Sequence, residues 1–326
     1  MTESRMQGFA AGRYAAIDIG TVTCRMLVAD VDAQGGMREL CREYAIANLG
    51  EGVDATHRLK PQAIERVADI VKRYLAKLES LNDSVRNPFS LKPRIVALAT
   101  SASRDAENAA DFTNRMRDLG VEVRVIPGEL EAALSFSGAT AEFPGESAVV
   151  VDVGGGSTEV IAGQSGNAPA LAKSFDIGCR RMTERFLKTD IPTKAEIEAA
   201  RTWMRDQMAP YFAELHSHGF TGARMVAVAG TATTVVSIRE AMETYDSSRV
   251  HKARVTRGQL DAIAGRLGSQ PLTTRRQTVG LDPDRAPVIV AGFLILQTIM
   301  DLLGVSEFTV SESDILQGIV LRVANE

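Results

Sequence analysis

Cysteine is scarce in this sequence of 326 residues. The three cysteines, Cys24, Cys41 and Cys179, are odd in number and widely spaced, and no two of them form a C-x-x-C pair. This set excludes a disulfide framework and a cysteine-ligated zinc site, and it is typical of reduced thiols in the cytoplasm. We therefore expect a cytoplasmic protein.

An excess of positive charge is also absent, because the formal net charge is −4. No global basic field attracts nucleic acid or an anionic membrane, so we expect neither as a partner. The most apolar run, residues 288–300, is shorter than the ~20 residues that a bilayer-spanning helix needs, and it predicts a buried helix. The first residues, MTESRMQGFAAGRY, lack the apolar stretch of a signal peptide.

What the sequence does contain is an internal repeat. Residues 14–30 (YAAIDIGTVTCRMLVAD) and 147–163 (SAVVVDVGGGSTEVIAG) share an apolar strand, an aspartate, a glycine-containing polar turn and a second apolar strand. This pattern predicts two β-hairpins. Asp18 and Asp152, the matching aspartates, are 134 residues apart, which is about the length of one domain. The repeat therefore indicates a duplicated domain.

Similar elements follow each hairpin. After the first we predict a third strand near residues 37–49, a helix over 61–81, a strand over 94–100, a helix over 109–119 and a strand over 121–126. After the second we predict a strand near 171–177, helices over 181–187 and 195–217, a strand over 224–230, and a helix that begins at Thr231. Two mixed sheets flanked by helices, with a cleft between them, form an α/β protein of two similar halves.

The two turns suggest phosphate chemistry. Successive main-chain amides in a glycine-rich turn can bind an anion, and nearby serine and threonine hydroxyls can add donors. Asp18 and Asp152, at the strand ends, are suited to hold Mg²⁺ directly or through water. A D-x-G sequence can also be merely a tight turn, but two matching hairpins favour the functional interpretation. Neither turn is a P-loop, and neither is a dinucleotide-binding G-x-G-x-x-G motif.

Five ordered motifs carry a resemblance to a known family. They are LGEGVDATHRL (49–59), ATSASRDAEN (99–108), IPGELEAALSF (126–136), VVDVGGGSTEV (150–160) and SESDILQGIV (311–320). Together with VAVAGTATTV (226–235), they resemble the exopolyphosphatase/guanosine pentaphosphatase family of the actin-like ATPase superfamily. The resemblance extends over nearly the whole chain. It implies two actin-like (ribonuclease H-like) domains and a phosphohydrolase that acts on inorganic polyphosphate or guanosine pentaphosphate.

The resemblance also implies roles for individual residues. Glu131 matches the family's catalytic glutamate, which activates water, and Glu159 and Arg104 complete the catalytic set. From the residues alone, an acid favoured by a helix N-terminus is the commoner explanation of Glu131, and Glu129 could also fill that role. The metal ligands expected for Mg²⁺, or for Mn²⁺ in its place, are Asp152, Glu159 and Asp18. The residues expected to bind phosphate are Asp18, Gly20, Thr21, Thr23, Arg25, Gly154, Gly155, Gly156, Ser157, Thr158, Gly230 and Thr231.

Three positions depart from the family's pattern. Val22 stands where the family usually has an asparagine, so one phosphate donor is missing. His57 stands where glycine is common. Ala229 replaces the first glycine of a Gly-Gly-Thr turn that approaches the adenosine in nucleotide-using relatives, which counts against purine binding here.

The repeat, together with an expected return of the last strand and helix to the first half as in the family, places the domain boundaries near residues 128 and 306. We expect a first domain of residues 1–128 plus 306–326, with the last strand and helix returning to it, and a second domain of residues 129–305. We also expect a homodimer. A group of basic residues either lines a track for long polyphosphate or forms a solvated charged face, and it comprises His251, Lys252, Arg254, Arg257, Arg275 and Arg276.

Two other functions remain open from the sequence. A kinase of the same superfamily would transfer phosphate from ATP to a small molecule, but it needs an adenosine site, which Ala229 disfavours. A non-catalytic sensor of polyphosphate or alarmone would bind without hydrolysis. The presence of Glu131 argues against a sensor, whereas Val22 is compatible with one.

Overall fold

The computed structural model describes residues 9–84, 87–89, 92–143 and 145–326. The first half of the chain forms a five-stranded mixed sheet in the order β3-β2-β1-β4-β5. Its elements are β1 Gly12–Ile19, β2 Thr23–Val31, β3 Met37–Ile46, α1 Val53–Thr56, α2 Pro61–Ser84, β4 Arg94–Ala99, α3 Ser101–Arg104, α4 Ala109–Arg117 and β5 Val123–Val125.

The rest of the chain forms a six-stranded mixed sheet in the order β10-β11-β9-β6-β7-β8. Its strands are β6 Ser147–Val153, β7 Thr158–Gln164, β8 Leu171–Phe175, β9 Arg224–Val228, β10 Arg254–Thr256 and β11 Glu307–Val310. The helices are α5 Gly128–Thr140, α6 Cys179–Phe186, α7 Lys194–Ser217, α8 Ala229–Arg239, α9 Ser247–Val250, α10 Arg257–Gly268, α11 Leu272–Arg275, α12 Ile289–Leu303 and α13 Ile315–Ala324.

The repeat is confirmed as two matching hairpins. Strands β1 and β2 pair antiparallel with Asp18 opposite Arg25, and strands β6 and β7 pair antiparallel with Asp152 opposite Glu159. Each hairpin then pairs with a parallel strand, β4 in the first sheet and β9 in the second. The predicted α/β architecture, with two mixed sheets flanked by helices, is therefore confirmed.

The apolar run at residues 288–300 forms helix α12, and nearly all of its side chains are buried in the core of the second sheet. The prediction of a buried helix is thus confirmed. In the part of the chain that the structure describes, no helix combines the length and the apolar character needed to cross a bilayer.

The strand near residue 307 was expected to return to the first domain, and this expectation is wrong. Strand β11 lies in the second sheet, parallel to β9 and antiparallel to β10. Phe308 and Val310 are buried in the core of that sheet, so the strand completes a layer that β9 alone would leave open. Only α13 returns, and it packs on β1 and β2. We therefore propose that the boundary near residue 306 moves to a point after Val310.

Helix α5 contacts both sheets. Leu134 lies in an apolar cluster with residues of β1, β2 and α13, whereas Ala132 and Phe136 pack against β6, β7 and β9. Since both faces are buried, the sequence of α5 shows no simple apolar stripe. The first turn of α5 is thereby fixed between the two halves of the molecule.

Helices α5 and α13 cross at two glycines. A Cβ atom added to Gly318 would lie 2.0 Å from the Leu134 carbonyl oxygen, and one added to Gly138 would lie 1.8 Å from the Asp314 carbonyl oxygen. Real Cβ atoms do not approach main-chain oxygens this closely, so the two backbones are in direct contact. Glycine is required at both positions for the helices to pack at this distance.

We predict that Gly318→Ala destabilises the protein by at least ~2 kcal/mol, because the added methyl group forces the two helices apart. Gly265→Ala is the matched control, since a Cβ atom there meets no other atom within 4 Å. In this exposed helical position alanine should stabilise the protein by ~0.5–1 kcal/mol. Urea denaturation measures both changes, and equal stability of Gly318→Ala and wild type would show that the helices do not touch through their backbones.

Candidate active site

The β6–β7 turn is held from behind by helix α6. The Gly154 carbonyl accepts from the Cys179 amide at 2.9 Å, and the Gly155 carbonyl accepts from the Arg180 amide at 2.9 Å. In a trans peptide the N–H points opposite to the C=O, so the amides that follow, those of Gly155 and Gly156, point away from α6. Both amides are thus directed away from α6 and can donate to an anion, which is the role expected of this turn.

The β1–β2 turn is held in the same way by the segment after β3. The Val22 carbonyl accepts from the amides of Ala47 at 2.8 Å and Asn48 at 2.9 Å, and the Thr21 carbonyl accepts from the Gly50 amide at 2.9 Å. The repeat therefore extends beyond the hairpins themselves. In both halves, other main-chain amides fix the carbonyls of the turn and leave its own amides facing away from that support.

The two turns touch each other. A Cβ atom on Gly155 would lie 2.5 Å from Val22 Cγ2, and one on Gly156 would lie 2.7 Å from Thr21 Oγ1. Only glycine allows the second turn to approach the first this closely. This contact explains Gly155 and Gly156, two of the three glycines that interrupt a strongly β-forming segment.

Three carboxylates are buried beside the turns. Glu131 is 8% exposed, Asp152 is 7% exposed and Glu159 is 1% exposed. Arg104 Nη1 donates to Glu131 Oε2 at 3.3 Å and to the Ile126 carbonyl at 3.0 Å. The structure thus brings together the catalytic set expected from the sequence.

Two serines that sequence reasoning missed hold these carboxylates. Ser135 Oγ donates to Asp152 Oδ2 at 2.8 Å, and Ser174 Oγ donates to Glu159 Oε1 at 2.6 Å. Ser135 lies one helical turn after Glu131 on α5, and this i, i+4 spacing is the one signal in the sequence that could have indicated it. Ser174 lies on β8, opposite Glu159 in the sheet register, which only the pairing of strands reveals.

Burial, followed by the charge of neighbouring carboxylates, raises the pKa of these three carboxyl groups. Burial, followed by the charge of Asp152, raises the pKa of Glu159 to about 8, although hydrogen bonds from Ser174 and Ser157 act in the opposite direction. Burial raises the pKa of Asp152 to about 6, with Arg25 opposing the change. Burial and the charge of Glu159 raise the pKa of Glu131 well above its ordinary value. A site of this kind favours a proton or a cation among the carboxylates.

Asp18 is bound to an arginine. Its Oδ2 atom accepts from Arg25 Nε at 3.1 Å and from Arg25 Nη2 at 2.6 Å, and Arg25 Nη1 also binds Asp314. Asp314, which the sequence did not indicate as a site residue, caps helix α13 by accepting from the Leu316 amide at 3.0 Å. Arg25 is therefore committed to two carboxylates in this structure. Burial raises the pKa of Asp18, although Arg25 acts in the opposite direction.

Several hydroxyls expected to bind phosphate are used within the fold. Thr158 donates to the Ile177 carbonyl and Thr231 to the Val153 carbonyl, and both side chains are fully buried. Ser157 is also buried and bonds to Glu159. Gly20 closes the first turn by donating its amide to the Thr23 carbonyl at 2.8 Å. The main-chain amides of Gly155 and Gly156 are consequently better placed for phosphate than these side chains.

The Ppx/GppA phosphatase family matches residues 27–326. The chain belongs to the Ppx/GppA phosphatase family. Exopolyphosphatase 2 of Mycobacterium tuberculosis is 37% identical over 331 residues, covering 97% of this chain and 99% of that protein. The expected enzyme class, a phosphoanhydride hydrolase, is confirmed by this membership.

Solved structures agree with the fold. A protein described as exopolyphosphatase-like is 32% identical and superposes with a TM-score of 0.83, covering 96% of this chain and 98% of that chain. A Ppx/GppA family member from Aquifex aeolicus is 28% identical with a TM-score of 0.75, covering 95% of this chain and 97% of that chain. The expected pair of actin-like domains is confirmed.

The departures from the family's pattern have structural explanations. Val22 is buried with Cys179 and Val288, so it packs the base of the first turn and offers no donor. His57 adopts φ 52°, the left-handed conformation that glycine favours, so the backbone of that loop is kept. Ala229 has φ 63°, a conformation that costs a non-glycine residue roughly 1–2 kcal/mol.

The basic residues of the C-terminal third do not form a free positive track. Lys252 Nζ lies 2.7 Å from Glu142 Oε2, and Arg254 Nη1 lies 3.3 Å from Glu307 Oε1. Arg275 is buried and donates to main-chain carbonyls. The structure therefore favours the solvated charged face over a track for long polyphosphate.

In the metal-free protein, we predict that stability falls as the pH rises from about 5 to about 8. Glu159 has an ordinary pKa of 4.5 and a pKa of about 8 when folded, so the folded state retains a proton that the unfolded chain has already released. Asp152 adds the same effect up to about pH 6. Because the native state binds more protons in this range, ΔG of unfolding decreases with pH.

Glu159→Gln removes the ionisable group, so its gain in Tm over wild type should be a few degrees at pH 8 and should disappear near pH 5. Thermal unfolding in a chelating buffer, followed by circular dichroism at both pH values, measures this gain. The exposed Glu129→Gln is the control and should follow wild type. A gain in Tm that is equal at the two pH values would contradict the burial of an ionisable Glu159.

Proposed function

We propose that this chain releases terminal phosphate from inorganic polyphosphate and that Glu131 is the general base. The observation that carries this proposal is the position of three buried carboxylates beside two anion-binding turns that face each other. The relatives named exopolyphosphatase support polyphosphate as the substrate. The amides of the two turns bind phosphate oxygens, and hydrolysis takes place beside the carboxylates.

Glu131 has the position that a general base requires. It lies in the first turn of α5, between the two halves of the molecule, and only a small part of it is exposed. Burial raises the pKa of its carboxyl group, and a higher pKa makes the carboxylate a stronger acceptor for a proton from water. Arg104 bonds to Glu131 and, with the remaining donors of its guanidinium group, can bind phosphate oxygens.

The oxygen donors of Asp152 and Glu159 fit a hard divalent cation, which we propose is Mg²⁺ or Mn²⁺. The described residues include no group of three or more His, Cys, Asp or Glu side chains placed to hold a metal ion, so Asp18, Asp152 and Glu159 do not form a complete cage. Mg²⁺ commonly binds one or two carboxylates and takes its other ligands from water and substrate phosphate. When bound, the cation would neutralise charge on the phosphoryl group.

We predict that Glu131→Gln lowers turnover by about 10²–10⁴-fold with little change in substrate binding, because the amide cannot accept the proton from water. Phosphate release from polyphosphate gives kcat and KM. Glu129→Gln, two residues earlier on the same helix and exposed, is the control and should retain wild-type turnover. Wild-type turnover of Glu131→Gln would assign the base elsewhere, with Glu159 as the next candidate.

We further predict that a chelator abolishes activity and that added Mg²⁺ or Mn²⁺ restores it. Asp152→Ala should resemble the chelated enzyme, but without rescue by metal, because a ligand has been lost. Phosphate release in metal-depleted buffer, with and without added cation, measures both effects. Full activity after exhaustive chelation would contradict a role for the metal.

Guanosine pentaphosphate is the second candidate substrate, and one observation favours it. An open cavity of about 660 Å³ lies between the two halves and extends from Thr23 and Arg25 in the first hairpin to Ala229 and Gly230. It is large enough for a nucleoside beside the phosphate turns. Arg285, however, lies against Gly230, where an added Cβ atom would meet its guanidinium group at 2.2 Å. The guanine ring therefore cannot lie directly on that turn.

Phosphate release from polyphosphates of several lengths, measured beside release from guanosine pentaphosphate, decides between these substrates. Transfer of phosphate from ATP to a small-molecule hydroxyl would instead support a kinase, and binding without release would support a sensor. The expected homodimer and the expected cytoplasmic location stay predictions.

A further inference from the structure

Two arginines of helix α6 extend across the cleft. Arg181 and Arg185, on the second half of the chain, both bond to Asp54 of helix α1 in the first half. Arg181 Nη1 lies 2.6 Å from Asp54 Oδ1, and Arg185 Nη2 lies 2.9 Å from the same atom. The two arginines thus share one partner, but only Arg181 has further contacts toward the active site.

Arg181 connects three parts of the site. Its Nε donates to the Gly156 carbonyl of the β6–β7 turn at 2.8 Å. Its Nη2 bonds to Asp105 and also donates to Ser101 Oγ at 3.3 Å, so it holds both ends of helix α3. Its side chain is 11% exposed, and together with the bond from Nη1 to Asp54 these contacts occupy all three of its nitrogens.

Helix α3 is a single turn, and it ends at Arg104, the residue that bonds to Glu131. Asp105 follows directly, and its amide donates to the Ser101 carbonyl at 2.9 Å. A Cβ atom added to Gly156 would lie 2.5 Å from Ser101 Oγ, so the β6–β7 turn already packs on α3. Arg181 therefore fixes the distance between the turn and the arginine that contacts the base.

We propose that Arg181 is a positioning residue for hydrolysis: by joining the Gly156 carbonyl to Ser101 and Asp105, it holds Arg104 against Glu131. The proposal rests on the proposed function of Glu131 as the base. Arg181 acts through Arg104 and contacts neither water nor the phosphate that is released. Lysine cannot replace it fully, because an ammonium group lacks the planar fork that reaches two carboxylates and a carbonyl together.

Five variants test the proposal by phosphate release from tripolyphosphate: Arg181→Met, Arg181→Lys, Arg185→Met, Arg104→Met and the double variant Arg104→Met/Arg181→Met. We expect Arg181→Met to lower kcat by about 10–100-fold, since small displacements of a catalytic group have effects of this size. Arg181→Lys should recover part of the loss. Arg185→Met, which removes a second contact to Asp54 from the same helix, should stay within about 3-fold of wild type.

The double variant separates positioning from general structural support. If Arg181 acts through Arg104, then adding Arg181→Met to the Arg104→Met protein should lower kcat by less than about 3-fold further. Independent effects that multiply would overturn the proposal, as would an equal loss in Arg185→Met. Should Arg181→Met fail to fold, Asp105→Asn removes the charge from the same link and must show the same loss and the same non-additivity.

A failure of the proposed function gives a different result. If the wild-type protein releases no phosphate from tripolyphosphate, the assignment of Glu131 as base is wrong. Titration calorimetry of tripolyphosphate binding then tests whether Arg181 supports the β6–β7 turn. Arg181→Met must weaken binding more than Arg185→Met does, because the β6–β7 turn has lost its support. Equal binding by the two variants would also overturn the role of Arg181 in supporting the turn.

Discussion

The crowding of buried carboxylates is the constraint on which the rest of the structure depends. Glu131, Asp152 and Glu159 lie close enough for each to feel the charge of another, and the nearby guanidinium groups of Arg104 and Arg25 compensate only part of that charge. Burying like charges together is unfavourable unless protons or cations neutralise them. A polyphosphate chain brings yet more negative charge, so it can bind here only together with positive charge.

The fold supplies rigid supports that keep these groups together. Helix α5 carries both Glu131 and Ser135, and it is buried on two faces, against the first sheet with α13 and against the second sheet. The amides of neighbouring segments hold the carbonyls of each turn. Main-chain contacts, which have few alternative arrangements, thus hold the acidic side chains together against their mutual repulsion. Flexible ion pairs at the surface contribute less.

Much of the fold could be predicted from the sequence because the hairpins recur and because helices such as Pro61–Ser84 show a clear apolar face. The proposed catalytic roles of Glu131, Glu159 and Arg104 depend on the ordered motifs, since an acid at a helix N-terminus carries no functional signal by itself. What could not be predicted depends on contacts between distant segments. Strand β11 is four residues long, and nothing in its pattern says which sheet it joins. In the sequence, Thr231 cannot be distinguished from a threonine that binds phosphate, although its hydroxyl is buried and donates to the Val153 carbonyl.

The register of the two hairpins has one further consequence. The position opposite the aspartate is Arg25 in the first hairpin and Glu159 in the second. A duplicated backbone would by itself give a cleft with twofold pseudo-symmetry, in which a phosphate chain could bind in either direction. The arginine in one hairpin and the glutamate in the other break that symmetry. In the first hairpin Arg25 neutralises the aspartate, whereas in the second Glu159 adds negative charge that requires a counter-ion. The two sides of the cleft therefore differ in charge, although the two ends of a linear polyphosphate are equivalent.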